Sequence, residues 1–271
     1  MLELYHSINS VCAQKVRIAL HEKGLEAKEH LMTLAGDQFD PAYMKLNPNA
    51  VAPTLMHDGY PVVESSVILY YLDEAFPEPP LMPRDLKLRA KVRLYNKLID
   101  EYIHNACMIL SFATCFRCRL LKMSPEEREA ELAKTPIPNR AEYKRDVTER
   151  GLESGYVVES VKHHEKLLSW IEESTRTGAY LAGHVYSLAD AAVIPYIARL
   201  ELLGLDRLWA DRPGVSSWWQ RVRNRPSTEE TIWQRMTGAD WAHSRTFNPT
   251  PGRRSAICWQ PRERKEPSDG R

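Results

Sequence analysis

Cysteine is scarce in this chain, at five residues in 271: Cys12, Cys107, Cys115, Cys118 and Cys258. An odd number at irregular spacing argues against a disulfide framework and for reduced thiols. An excess of one charge is missing too. Lysine and arginine total 37 against 36 acidic residues, so no global field draws the protein onto nucleic acid or an anionic membrane, and the expected partner is small. No apolar run approaches bilayer length, and Met1-Leu2-Glu3-Leu4-Tyr5 lacks the basic flank and long apolar core of a signal peptide. A cytoplasmic protein is expected. There is no internal repeat. What the chain does have is 43% hydrophobic and 27% charged residues, enough for one large domain or two modest ones with real cores.

The first 76 residues read as β-α-β-α-β-β-α. Leu2 to His6 alternate like a short strand, and Val16, Ala19 and Leu20 then recur at helical spacing. Lys23-Gly24-Leu25 closes that helix, with Gly for the left-handed position and Leu25 for the apolar contact of the cap. A strand from Ala27 to Met32 follows. Asp40 and Pro41 supply the N-cap and first-turn proline of a short helix ending at Leu46. Strands Pro53 to His57 and Pro61 to Val63 flank Asp58-Gly59, a hairpin turn. Ser65 to Phe76 reads as a buried helix that Pro77 stops.

Residues 77–86 carry several prolines and no periodicity, as a linker does. Residues 87–240 look helical, with three-four apolar spacing in Leu88 to Leu110, Val157 to Ile171 and Ala191 to Leu203. Ser124 to Arg150 is highly charged, is broken by Thr135-Pro136-Ile137-Pro138, and reads as a solvated excursion. His163-His164 reads as a solvated helix face. Residues 241–271 read as an irregular tail, in which Arg253 and Arg254 either fold over a pocket mouth or dangle.

Three short constellations can carry chemistry. In Ser10-Val11-Cys12-Ala13-Gln14-Lys15-Val16-Arg17 a strand passes to a helix start, and a hydroxyl or thiol there meets unpaired N–H groups at the positive end of the dipole, which favours a thiolate. Ser10 capping the helix and Cys12 packing as a small apolar residue is the plainer alternative. Asn49-Ala50-Val51-Ala52-Pro53-Thr54-Leu55 opens a strand on proline. A cis bond there would free the backbone of Ala52 for an extended peptide; an ordinary proline at a strand start would not. Val63-Glu64-Ser65-Ser66 turns a strand into a helix, where Ser65 either caps the helix or receives a ligand carboxylate. Together they form three sides of a pocket for a short thiol-bearing peptide.

On these residues the sequence resembles the cytosolic glutathione transferase superfamily. Ser10 to Leu20 is similar to the zeta-class motif, while Pro53 and Glu64-Ser65 match the family's cis-proline and Glu-Ser pair. The resemblance runs from Met1 to about Met236. It implies an α/β thioredoxin-like N-terminal domain, an all-α C-terminal helical bundle and a homodimer with glutathione as co-substrate. Carried over, Ser10 donates to the glutathione sulfur and Ala52 pairs with the cysteinyl backbone, beside Val51 and Pro53. Glu64 and Ser65 hold the γ-glutamyl end, and Gln38 and Lys45 lie nearest the glycyl carboxylate. Many members have Gln-Val-Pro where this chain has Val51-Ala52-Pro53, so one side-chain anchor is in doubt. Ser187-Leu188-Ala189-Asp190 matches the family's structural capping box. Met108, Phe112, Cys115 and Phe116 fall either on the apolar wall over glutathione or in the bundle core.

Finer resemblances pull two ways. Asp37-Gln38-Phe39-Asp40-Pro41 to Leu55 and Arg199 to Pro226 look like the tetrachlorohydroquinone reductive dehalogenase branch. Met123-Ser124-Pro125-Glu126-Glu127 and Thr135-Pro136-Ile137-Pro138 look like a lignin β-etherase branch. Both imply a glutathione thiolate attacking a small aromatic electrophile. Dehalogenation then needs a second thiol, for which Cys12 is placed, whereas ether cleavage leaves Cys12 a bystander. A thioltransferase using Cys12 and a non-catalytic glutathione-binding module stay open. Cys115-Phe116-Arg117-Cys118, with no second pair and only His104 nearby, falls short of a zinc signature, so no metal is expected.

Overall fold

The computed structural model describes residues 1–137 and 139–236. The expected tail and its Arg253 and Arg254, together with the end of the expected helical region, lie outside them. Strand β1 (Leu2–His6) alternates buried and part-buried side chains. It runs parallel to β2 (Lys28–Leu31) and antiparallel to β3 (Thr54–His57), which pairs with β4 (Tyr60–Val63), in the order β2-β1-β3-β4. Asp58 and Gly59 both hold positive φ, 49° and 83°, as a two-residue hairpin turn of this hand requires. Pro61 pairs with Met56 on edge strand β4, where its missing N–H costs no ladder bond.

Helix α1 (Val11–Glu22) crosses between β1 and β2. Its end is the expected double-bonded glycine cap: Gly24 N–H donates to His21 O at 3.0 Å and Leu25 N–H to Leu20 O at 2.9 Å, with Gly24 at φ 63°. After a single turn of 3-10 helix at Asp37–Phe39, helix α2 (Pro41–Leu46) starts on Asp40, whose carboxylate accepts from Ala42 N at 2.7 Å. Helix α3 (Ser65–Ala75) buries Ile68, Leu69 and Leu72. Its cap position is Glu64, at φ 66° with no side-chain cap bond. Ser65 is thus the first helical residue, so of its two readings, cap or ligand contact, the cap is not the one the structure shows.

The linker is tied down. Asp73 accepts from the amides of Leu81 (2.7 Å) and Met82 (3.1 Å) and from buried Lys23 Nζ (2.9 Å), so its carboxylate is almost fully used. Beyond it, α4 (Leu86–Leu98), α5 (His104–Ser111) and α6 (Arg117–Leu121) form one long helical run, interrupted by π-helical turns at Ile99–Ile103 and Phe112–Phe116. Each such turn shifts the helical register and so re-aims the side chains beyond it.

The expected solvated excursion is instead a helical hairpin. Helix α7 (Pro125–Ala133) starts with a capping box between Ser124 and Glu127, and α8 (Arg140–Arg150) returns. Leu132, Tyr143 and Val147 are buried, and Arg117 Nε donates to Thr148 O at 3.0 Å. Its charges lie outside; enough apolar residues recur inside to pack it. Helix α9 (Gly155–Thr175) corrects a second expectation, because His164 is completely buried, its Nδ1 2.7 Å from Ser160 O. Helix α10 (Leu188–Leu202) is mostly apolar and buried on nearly every side because it runs through the middle of the molecule, packed by α1, α4 and α11 (Pro213–Arg223). The short helix α12 (Pro226–Thr228) and a π-helical turn at Glu229–Trp233 lean back on α1.

Candidate active site

The register of the sheet assembles the site. Thr54 at the start of β3 pairs with Tyr5 near the end of β1 and with Val63 at the end of β4. The loops on either side of Ser10, Pro53 and Ser65 therefore leave the sheet at one end. The Ala52-Pro53 bond is cis, as the resemblance implied. Val51 O accepts from Tyr43 Oη at 2.6 Å and Asn47 Nδ2 at 2.9 Å, so the loop is anchored one residue before Ala52. Asn49 Nδ2 donates to Glu64 Oε1 at 3.3 Å, joining it to the third motif. Gln38 Oε1 accepts from Gly36 N at 3.0 Å, a bond that does not occupy its amide N–H groups, and Lys45 is exposed in the last turn of α2.

Two buried arginines, one from each domain, hold the loop that delivers Ser10. Arg17 donates from Nη1 to Ser7 O at 3.2 Å and from Nη2 to Ile8 O at 3.0 Å. Arg199 donates from Nη2 to Asn9 O at 2.6 Å and from Nη1 to Ser111 Oγ at 3.1 Å. Ser10 Oγ accepts from Ala13 N at 3.3 Å. A hydroxyl has two acceptor sites and one donor, so a cap does not prevent donation to a sulfur lying at the positive end of α1.

Cys12 is part-exposed and faces the bundle. Its Sγ lies 3.4 Å from His104 Nδ1 and 3.8 Å from Tyr196 Oη. Burial alone would raise its pKa; the charge and hydrogen bond of His104, the charge of Lys15 and the Ser65 hydroxyl outweigh that and bring it down to about 6. Lys15 is fully buried, 3.5 Å from Asp100 Oδ1, and donates to Ser66 Oγ at 3.3 Å. Ser66 in turn donates to Asp100 at 2.7 Å.

Of the expected apolar wall, Met108, Phe112 and Phe116 are part-exposed, with the two phenylalanine rings edge to face at 5.2 Å. Cys115 turns inward: it is buried, its thiol donates to Ser111 O at 3.1 Å, and burial raises its pKa. Lys144 Nζ sits 4.6 Å from the Phe112 ring centre, where burial and then Arg140 lower its pKa to about 8. His104 and Tyr196 were not legible as site residues, because a lone polar residue in a helical run carries no motif; Lys15 and Arg199 fall inside stretches that carry the resemblance, but nothing local there assigns them a role. Among the described residues no three His, Cys, Asp or Glu side chains cluster as a metal site, and no helix is long and apolar enough to cross a membrane.

A thioredoxin-like sheet with a cis-proline loop, a helix start bearing Ser10 and a helical second domain define a glutathione-binding class of protein. Comparison with known proteins agrees. The family model for the glutathione S-transferase N-terminal domain matches residues 4–80, and that for the C-terminal domain matches residues 120–226. Protein LigF of Sphingobium sp. strain SYK-6 is 30% identical over 84% of this chain and 92% of its own length. Glutathione S-transferase TCHQD of Arabidopsis thaliana is 28% identical over 88% and 91%. The crystal structure of the β-etherase LigF superposes with a TM-score of 0.77 at 29% identity, over 86% of this chain and 99% of that one. The chain belongs to the glutathione S-transferase family.

Proposed function

We propose that this protein uses Ser10 to hold the thiolate of glutathione and directs it at a small aromatic electrophile, with a β-aryl ether as the first substrate class to test. The supporting observation is the position of Ser10. Its hydroxyl sits at the start of α1, on a loop fixed by Arg17 and Arg199, beside the cis-proline loop and the first turn of α3. Ala52 would pair with the peptide backbone of glutathione, flanked by Val51 and Pro53. Glu64 and Ser65 would take the γ-glutamyl end, and Gln38 and Lys45 the glycyl carboxylate. Met108, Phe112 and Phe116 would cover the electrophile, with Cys115 packed behind them. In ether cleavage the C–O bond breaks as a C–S bond forms, and the phenolate leaves and takes a proton. Stabilising the thiolate and holding it against carbon supply the rate. The likeness to LigF supports the ether; the test is glutathione-dependent release of a phenol from a β-aryl ether, expected for wild type and nearly lost in Ser10→Ala. Full activity in Ser10→Ala would remove serine from the mechanism.

The Cys12–His104 contact favours a second reading, reductive dehalogenation, in which the Cys12 thiolate attacks the sulfur of an aryl glutathione thioether, the aryl C–S bond breaks and the aryl carbon takes a proton, and the Cys12–glutathione disulfide that forms is resolved by a second glutathione thiolate, with release of glutathione disulfide. Accumulation of the thioether in Cys12→Ala, given a chlorinated hydroquinone, would support it. We also expect a cytoplasmic homodimer; Val67 on α3 and Leu94 on α4 are exposed apolar residues that a partner could cover, and sedimentation would report the mass.

A further inference from the structure

The polar groups around Cys12 exceed what a packed cysteine needs. Two helices send a polar side chain into contact with its sulfur, His104 from α5 and Tyr196 from α10, and Lys15 of α1 and Ser65 of α3 act on its charge. His104 Nδ1, Tyr196 Oη and Cys12 Sγ form a triangle with sides of 3.4, 3.8 and 3.3 Å. Tyr196 is fully buried, and burial followed by the charge on Cys12 keeps its phenol protonated. If the sulfur is a thiolate, it accepts from both Nδ1–H and the phenol, and each polar hydrogen facing it is used. If it is a thiol, S–H and O–H compete for one nitrogen lone pair, and a buried donor is left with a poor acceptor.

We propose that His104 is the positioning residue of a second sulfur centre, holding Cys12 as a thiolate that exchanges with glutathione mixed disulfides. For its substrate class the proposal rests on the glutathione site described above. Cys12 sits two residues beyond Ser10, on the same turn of α1, and its sulfur shares Ser65 with the expected γ-glutamyl pocket. In the first step the Cys12 thiolate attacks the glutathionyl sulfur of a mixed disulfide. A Cys12–glutathione disulfide forms, the original S–S bond breaks, and the other thiolate leaves and takes up a proton. A free glutathione thiolate then attacks the same glutathionyl sulfur, releasing glutathione disulfide and restoring Cys12. The two electrons that reduce the leaving thiol come from glutathione. His104 makes no contact with substrate in this scheme and sets the state of the sulfur.

Other charges face the centre and bear on its titration. Lys15 is paired with Asp100 at 3.5 Å, and the buried thiol of Cys107, itself influenced by Arg199, lies close enough to Cys12 to interact electrostatically. None of these is altered by replacing His104 with a neutral side chain of similar length.

The test is the pH dependence of Cys12 alkylation by iodoacetamide, read by mass spectrometry on the tryptic peptide 1–15, in which Cys12 is the only cysteine. Wild type is expected to reach half-maximal reactivity near pH 6. In His104→Gln the midpoint should rise by about two pH units, towards an ordinary thiol. With glutathione disulfide as the probe at pH 6, Cys12 should gain one glutathionyl group roughly fivefold more slowly in that variant, because higher sulfur basicity offsets part of the lost thiolate. A wild-type midpoint in the ordinary thiol range, or an unchanged midpoint in His104→Gln, overturns the proposal. Should His104→Gln fail to fold, Tyr196→Phe carries the test, with a smaller upward shift expected and no shift overturning it. Ser10→Ala separates the two readings. It should lose conjugation and keep the Cys12 midpoint; a wild type that never conjugates yet titrates near pH 6 defeats the serine reading alone.

Discussion

Two polar clusters share helix α10, and they are built differently. At its N-terminal end, Asp190 accepts from Leu181 N and Ser187 N at 3.0 Å, from Ser187 Oγ at 3.0 Å and from Trp218 Nε1 at 2.8 Å. Its acceptor sites are filled by fixed donors and no face of it meets solvent. Further along, near the domain interface, Cys12, His104 and Tyr196 touch through a part-exposed sulfur. A saturated cluster has nothing left to offer a ligand, so its donors act as struts; an unsaturated one with an open side keeps chemistry available. Cys107 and Cys115 make the same point with the same functional group. Buried in the bundle, Cys107 is pushed up to about 11 by desolvation, while Cys12 is brought down to about 6.

The contrast is best broken at its saturated end. Asp190→Ala leaves several buried donors unpaired and should cost on the order of 3–5 kcal/mol, read as a fall in the urea midpoint. Retention of wild-type stability would mean the cluster is not a strut. At the open end, Ser10→Ala should lower kcat/KM for glutathione conjugation by about 10²-fold, as loss of one preorganised donor does, while costing only about 1 kcal/mol of stability as a lost cap. Comparable losses in both would make Ser10 structural.

His164 is a partial exception within the bundle and sharpens the comparison. It is fully buried, Nε2 finds no hydrogen-bond partner among the described residues, and burial lowers its pKa to about 4. Its unfolded value is near 6.5, so below that pH the unfolded chain binds a proton that the folded chain refuses. Stability is therefore full above about pH 6.5 and is lost as pH falls towards 4. This contribution should amount to about 2 kcal/mol between about pH 7 and pH 5 and disappear in His164→Gln, measured by urea unfolding at the two pH values. The smallest effect belongs to the α7 cap. Glu127 accepts from Ser124 N at 3.0 Å on an exposed helix, so Glu127→Ala should cost at most about 1 kcal/mol, seen as faster amide exchange in α7 alone.

Much of the N-terminal domain was legible because its signals are local. The glycine cap after α1, the Asp40-Pro41 start of α2 and the Asp58-Gly59 turn each depend on a few adjacent residues and fall where the sequence places them. At Ser65 the sequence left a cap and a ligand contact open, because a serine at a strand-to-helix junction suits both the cap and the position after it; the cap position belongs to Glu64. The hairpin α7–α8 was missed for another reason: its few apolar residues, Leu132, Tyr143 and Val147, are diluted by charge. His163 and His164 are neighbours with opposite fates, since consecutive residues on a helix point about 100° apart and only the packing of α9 decides which is inside.

The sequence by itself determined the balance of charge, through composition, and the order of strands and helices and the three loop motifs of the N-terminal domain, which are set by chemistry within a few residues. The tertiary structure decided which polar side chains meet. His104 sits just past a π-helical turn, and Tyr196 lies on a helix buried on nearly every side, so neither advertises a role. They reach Cys12 because the extra residue in that turn rotates His104, and because α10 packs against α1; both are consequences of long-range packing that no local pattern encodes.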